Sequence, residues 1–204
     1  IVRDKLKVHN LFPTALGESV RNLTSKELDF FDKLKDQRRN KNAGNSYTKD
    51  IHVLNNPELS DLKTDLTDIV NDYFQEVYQP EYDVKVYITI SWVNYTESGQ
   101  WHHAHFHSNS VISGVLYIDT NDEDTITFQN PVEGNLGFSL KSKNHNHWNS
   151  SSWWWPTPKN SLLLFPSSLS HKVDITTNQN TRSSLAFNTF LKGQINDDLV
   201  ELIL

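Results

Sequence analysis

The sequence contains no cysteine. That absence excludes a disulfide scaffold, thiolate zinc sites, iron–sulfur clusters and a cysteine nucleophile. Any metal centre must therefore use histidine and carboxylates. No apolar run reaches the roughly 18 residues that a membrane-spanning helix needs. The first residues, IVRDKLKVHNLF, lack the apolar core of a secretory signal. An excess of positive charge is missing too: 19 Lys and Arg stand against 25 Asp and Glu, for a net charge of −6. No basic stretch interleaves with aromatics, so nothing in the charge pattern points to a nucleic-acid partner. There is also no internal repeat of the kind that builds solenoids.

What remains is an ordinary globular composition. Hydrophobic residues make up 36% and charged residues 22% of 204 residues. At about 150 residues per domain, this length suits a single domain over 1–204 with some additions. Such a chain can bury about 70% of its unfolded surface, enough to fold without disulfide or structural metal. The 6 Trp, 7 Tyr and 10 Phe rule out intrinsic disorder. Glycosylation-type triplets begin at Asn22, Asn94 and Asn149. In a chain this rich in Asn, Ser and Thr they are read as chance.

The chain divides into a helical front (1–80), a β-rich core (81–192) and a short tail (193–204). TSKE at 24–27 reads as a capping box, followed by Leu28, Phe31 and Leu34 at helical spacing, which predicts a helix over 25–38. The polar stretch from Arg38 to Asp50 reads as a loop. Asn56-Pro57-Glu58 then opens a second helix over 57–78, with Leu59, Leu62, Leu66, Ile69, Val70, Tyr73 and Phe74 on one stripe. After Pro80 the period falls to two, with Val84, Val86, Ile88 and Ile90 alternating with polar residues. Further β-rich runs follow at 111–119, 125–129, 161–165, 171–176 and 182–192. Short strands with no helix between them predict an antiparallel sandwich or barrel, with both helices on one outer face. The segment 144–158, NHNHWNSSSWWWPTP, fits no period and reads as a long loop.

Seven of the nine histidines lie between 102 and 171, and the densest segment is GQWHHAHFH at 99–107. In a strand, residues two apart share a face. His103, His105 and His107 would then face one way, with His102 and Phe106 on the other side. Imidazoles so placed can chelate iron, zinc, copper or nickel; a His-rich surface strand is the plainer alternative. His171 restarts a strand after Phe165-Pro166-Ser167, where a lone histidine is commonly just a polar strand end. Arg182, Ser184, Ala186 and Asn188 share one face of the last long strand, where Arg182 could equally be a surface charge. If 171–176 and 182–188 form a hairpin around Asn178–Asn180, Arg182 lies opposite Thr176. It is then roughly 16 Å from His171 at about 3.3 Å per residue. His145 and His147 sit in loop-like sequence and read as solvent-exposed, not as ligands.

The order His105-x-His107, then His171, then Arg182-x-Ser184 resembles the Fe(II)/2-oxoglutarate-dependent oxygenases. The likeness is strongest to a subfamily of marine bacteria and their phages. It is carried by an opening strand at Leu11-Phe12-Pro13, by Trp92-Val93-Asn94 and by Gly99 ahead of the histidines. Further on it rests on Ser113-Gly114-Val115-Leu116-Tyr117, on Phe165-Pro166-Ser167 and on Ala186-Phe187-Asn188. The resemblance implies a mainly β, double-stranded β-helix (jelly-roll) fold behind N-terminal helices. It implies Fe(II) on His105, His107 and His171, and 2-oxoglutarate held by Arg182 with Ser184, Asn94 and Tyr117 assisting. Asn188 is read instead as a satisfied core polar group. The reaction implied is oxidative decarboxylation of 2-oxoglutarate with O₂, coupled to hydroxylation of a substrate the sequence does not reveal. Most of the superfamily has a carboxylate where this chain has His107, and the resemblance implies that the subfamily shares the histidine. The implied location is the cytoplasm, that of the host if the chain is phage-encoded.

Two other readings compete. Gly99 and His105-x-His107 also fit the opening of a cupin metal motif, although 108–113 holds no acid where that motif needs one and Arg182 has no place in it. A non-catalytic jelly-roll binding module is the other, with the Trp153-Trp154-Trp155 run as its surface. For the oxygenase, Trp153 and Trp154 are expected to border the mouth of the site and bind substrate. The alternative for that run is indoles capping the core far from the metal. The sequence leaves the oligomeric state open.

Overall fold

The structure is a computed structural model, and it describes residues 5–37, 39–132, 140–177 and 179–204. Residues 1–4, Arg38 and Asn178, which enter the expectations above, lie outside these. The chain runs β1 (Gly17–Val20), α1 (Ser25–Lys35), β2 (Arg39–Lys41), β3 (Ser46–Thr48), α2 (Ser60–Tyr78), β4 (Lys85–Thr96), β5 (His102–His105) and β6 (Ile112–Asp119). It continues through β7 (Thr125–Gln129), β8 (Ser152–Pro156), β9 (Ser161–Pro166), β10 (His171–Val173), β11 (Arg182–Lys192), β12 (Gln194–Asn196) and β13 (Leu202–Ile203).

Both helices start where their caps dictate. Glu27 N–H donates to Thr24 Oγ1 (3.3 Å) and the Thr24 N–H donates back to Glu27 Oε2 (2.7 Å), completing the capping box. Asn56 Oδ1 accepts from the Glu58 N–H (2.9 Å), but the first turn at Pro57–Leu59 is 3-10 before α2 takes over. Helix α1 stops at Lys35, three residues short of expectation, because the chain turns at Asp36 into β2.

Seven strands form a large sheet in the order β1-β9-β6-β11-β4-β3-β2, and four form a small one, β5-β10-β7-β8. The strand pairings of both sheets are antiparallel. Facing one another, the sheets make the expected jelly roll. The helices cover the outer face of the large sheet, where Leu62, Leu66, Val70 and Phe74 join Val93, Tyr95, Leu116 and Leu185 in one buried cluster. A second cluster, Tyr117, Ile126, Phe128, Leu163, Phe165 and Leu169, fills the space between the sheets, with Trp155 packed against it. With both of its faces covered, the large sheet needs nearly continuous apolar strands. That accounts for the SLLLF run of β9.

Beyond the helix ends, the structure departs from the sequence reading in five places. Leu11-Phe12-Pro13 is no strand: it is irregular and exposed, and the first strand begins at Gly17. The polar stretch after α1 is not simply a loop, because β2 and β3 pair as a hairpin and extend the large sheet. The helical front thus also supplies three strands. Within 144–158, residues 152–156 form β8, paired with β7. Strand β10 ends at Val173 instead of reaching Thr176. It does not form a hairpin with β11 either: β10 pairs with β5 and β7 in the small sheet, whereas β11 lies between β4 and β6 in the large one. The 16 Å path along one hairpin is therefore replaced by a path across the gap between sheets.

Candidate active site

His105 ends β5 and His171 begins β10, and the two are directly paired across these strands. His107 follows in the loop, whose backbone is tied to the turn before His171 by the His107 N–H donating to the Ser167 carbonyl (2.9 Å). The Ser167 side chain fixes the same junction. Its hydroxyl bonds Ser110 Oγ (2.7 Å) and Ser113 Oγ (2.9 Å), and Ser113 Oγ donates to Asn188 Oδ1 (2.9 Å). Asn188 is thus the satisfied core group expected of it.

The three rings converge. Centroids lie 5.0 Å apart for His105–His107, 4.4 Å for His105–His171 and 5.3 Å for His107–His171. One ring nitrogen from each falls within 4.8 Å of the other two. Two tautomers follow from their partners. His105 Nδ1 lies 2.8 Å from the His103 carbonyl and His171 Nδ1 lies 3.0 Å from the Leu169 carbonyl. A carbonyl only accepts, so each Nδ1 carries the proton and each Nε2 keeps its lone pair. Burial pushes the imidazoles well below the usual histidine range, to about 4 for His107 and about 3 for His171, with His105 lowered too. All three are neutral near pH 7, the form that binds metal.

The opposite wall comes from the large sheet. One cavity is lined by His105, His107 and His171 together with Arg182, Ser184, Asn94 and Tyr117. The four wall residues are neighbours by register: Ser184 pairs with Asn94 on one side and Tyr117 on the other, and Arg182 pairs with Thr96. Arg182 is only 4% exposed. Its guanidinium donates to the Thr125 carbonyl (2.8 Å) and to Thr157 Oγ1 (3.3 Å) and stands 5.3 Å from the Tyr117 ring centroid. The Tyr117 hydroxyl is buried with no hydrogen-bond partner. Its burial pushes the phenol up to about 12, against an opposing pull from the Arg182 cation. Asn94 Oδ1 accepts from Trp92 Nε1 (3.2 Å), which leaves the Asn94 amide donors for the cavity.

Sequence reasoning put His102 on the wrong side. From His102 to His105 is three steps, but their partners Val173 and His171 are only two apart. One extra residue makes a β-bulge, which turns His102 onto the same side as His105. His102 lines the cavity and stacks on His105 at 4.4 Å. Trp92, Thr96 and Asn45 also line it and were missed. The alternation of β4 around Asn94 could have found the first two; Asn45, from a distant hairpin, left no local signal.

Trp153 and Trp154 lie outside the lining of this cavity. Register separates them. Trp153 pairs with Phe128, which pairs with His171, so it continues the inward row across the small sheet. Trp154 pairs with Thr127 and faces outward, 64% exposed. Trp155 returns inward with Ile126. His145 and His147 are exposed as expected, and the His147 ring lies tilted against Trp153 with centroids 4.3 Å apart.

Known proteins agree with this architecture. A family model described as "Putative 2OG-Fe(II) oxygenase" matches residues 90–188. No curated protein matches the sequence. Among solved structures, a 2OG-Fe(II) oxygenase family oxidoreductase from Burkholderia pseudomallei is similar with a TM-score of 0.55 at 13% identity, covering 81% of this chain and 78% of that one. HygX from Streptomyces hygroscopicus, with nickel, 2-oxoglutarate and hygromycin B bound, gives 0.57 at 10% identity over 86% and 82%. A Pseudomonas putida prolyl-4-hydroxylase gives 0.55 at 11% identity over 86% and 92%. Within the described residues, no helix is long and apolar enough to cross a membrane. Sequence pattern and fold thus agree on a mainly β, double-stranded β-helix architecture, the fold of the 2OG-Fe(II) oxygenases that this chain is similar to.

Proposed function

We propose that this chain is a non-haem Fe(II) oxygenase that couples oxidative decarboxylation of 2-oxoglutarate to hydroxylation of a substrate C–H bond. The observation that carries the reading is one cavity holding three neutral imidazoles on one wall and a buried Arg182 with Ser184, Asn94 and Tyr117 on the other. His105, His107 and His171 would hold the metal. Bound iron would supply the oxygen activation that turns 2-oxoglutarate and O₂ into succinate, CO₂ and an oxygen atom for the substrate.

The residues present fit both groups. Three imidazoles bring no charge, so Fe(II) offsets the dianionic co-substrate and the Arg182 cation leaves the filled cavity at +1. Arg182 can grip the far carboxylate with its planar fork. The unsatisfied Tyr117 hydroxyl and the Ser184 hydroxyl can donate to it, and the Asn94 amide can donate on the metal side. The indoles of Trp153 and Trp154 are proposed to contact the substrate. Trp153 stands in the row that ends at His171, and Trp154 would meet a substrate only where it wraps the edge of β8. Among neighbours, SnoK is a carbocyclase and SnoN an epimerase, so the product distinguishes hydroxylation from these outcomes. The marine-bacterial and phage subfamily that the sequence resembles is the proposed origin of the three-histidine set, and the cytoplasm its proposed location.

The test is calorimetry of 2-oxoglutarate binding to the iron-loaded protein under nitrogen, with succinate release measured in air. Wild type should bind and release succinate. Arg182→Ala should lose about 2–5 kcal/mol of 2-oxoglutarate affinity at unchanged metal content, since a buried carboxylate would be left unpaired. Equal affinity in the two proteins would refute the assignment of Arg182, and absence of succinate from the wild type would favour a metal enzyme of another kind.

A further inference from the structure

The bulge in β5 gathers a second set of imidazoles, two of which the proposed oxygenase site does not use. His102, His103 and His105 have ring centroids 5.1, 4.4 and 5.0 Å apart for the pairs 102–103, 102–105 and 103–105. One ring nitrogen of each lies within 4.8 Å of the other two. His103 Nδ1 is buried and has no hydrogen-bond partner, a cost that native proteins normally avoid. His102 Nε2 meets a single neutral donor, the Asn42 amide at 2.9 Å, whose own orientation is fixed because Asn42 Oδ1 accepts from the Ala43 N–H. That donor can be replaced by an ion.

We infer that His102, His103 and His105 form a second seat for a divalent metal ion, alternative to the triad and sharing His105 with it. Three nitrogens and no carboxylate select a cation that prefers imidazole, such as Zn(II), over Mg(II) or Ca(II). The orphaned His103 nitrogen gains a partner when the seat fills. Sharing makes the two seats exclusive. The His105 Nδ1–H is committed to the His103 carbonyl, so only its Nε2 can bind, and it binds in one seat at a time. An ion in the second seat leaves the triad with His107 and His171 alone. The inference does not depend on the oxygenase reading, because it concerns metal binding without co-substrate.

Zn(II) titration by calorimetry on metal-free protein separates the seats. The triad is disabled by His107→Ala with His171→Ala, and in a second version by Gln at both positions, which keeps more of the buried volume should the alanine pair fail to fold. Either folded variant should still bind one Zn(II) per chain. Adding His103→Ala should weaken that binding at least tenfold, and Cu(II) paramagnetic resonance should show coupling to three nitrogens that falls to two with it. Wild type should bind one Zn(II), not two. Failure of the folded double variants to bind would overturn the inference. So would undiminished binding after His103 is removed, or two ions in wild type.

Discussion

His107 stands where most of the oxygenases that the sequence resembles have a carboxylate, and its surroundings say what it can do. Its ring stands 5.7 Å from Trp92 and within 5.3 Å of His171, in a loop anchored by Ser167. Removing one of the three proposed ligands would leave two imidazoles to hold the ion. His107→Ala should therefore reduce retained iron at least tenfold, by metal analysis after gel filtration. His107→Asp restores a ligand of the commoner kind, so it should retain iron. If His107→Ala keeps its metal, the triad is wrong. At this scale the sequence was largely legible. His105, His107, His171, Arg182, Ser184, Asn94 and Tyr117 all reach one cavity, because side-chain type and order along the chain carried the pattern. His102 was not legible, since a single inserted residue in a strand reverses which face a side chain takes.

The elements divide by whether their cause is local. Helix α1 begins at a capping box written in four consecutive residues, and Thr24→Ala removes its hydroxyl acceptor. That should cost about 1 kcal/mol and lower Tm by about 2–4 °C in a domain of this size, read by thermal denaturation. Strands β7 and β11 match their predicted limits, 125–129 and 182–192, because an apolar run ends at polar residues in both. The partner of β10 could not be read, because a strand does not name its neighbour and the adjacent hairpin was only the nearest guess. Strand β8 hid inside a polar, Trp-rich segment whose order comes from pairing with β7. Its alternation now gives a test. Trp153 and His171 are separated by the intervening Phe128, so Trp153→Ala should leave 2-oxoglutarate affinity within about twofold while substrate-stimulated succinate release falls. Calorimetry and turnover check the two halves, and a large loss of 2-oxoglutarate affinity would place Trp153 elsewhere in the mechanism.

For the molecule as a whole, the buried imidazoles link the fold to pH. His102 and His171 are pushed down to about 3 and His107 to about 4, first by burial and then by neighbouring histidines. In the unfolded chain the same groups titrate near 6.5. Above that value neither state is protonated and the shifts leave stability unchanged. As pH falls from about 6.5 toward about 4, the unfolded chain takes up protons that the folded one refuses. Metal-free protein should therefore lose stability across this window, each histidine contributing up to about 1.4 kcal/mol per pH unit. Urea titrations at pH 7.5, 6 and 5 measure it, and a flat profile would mean that the site opens to solvent.

The proposed iron ligands belong to the small sheet and the loop after β5, whereas Arg182 and Ser184 belong to the large sheet. A diacid fastened at one end to the metal and at the other to Arg182, as proposed, would be a tie-rod between two walls that otherwise meet through apolar packing and the Arg182 bond to the Thr125 carbonyl. Its greatest reach is limited, so the cavity acts as a gauge. A dicarboxylate one carbon shorter or longer cannot be accepted by adjusting a single side chain; the spacing of the walls themselves would have to change.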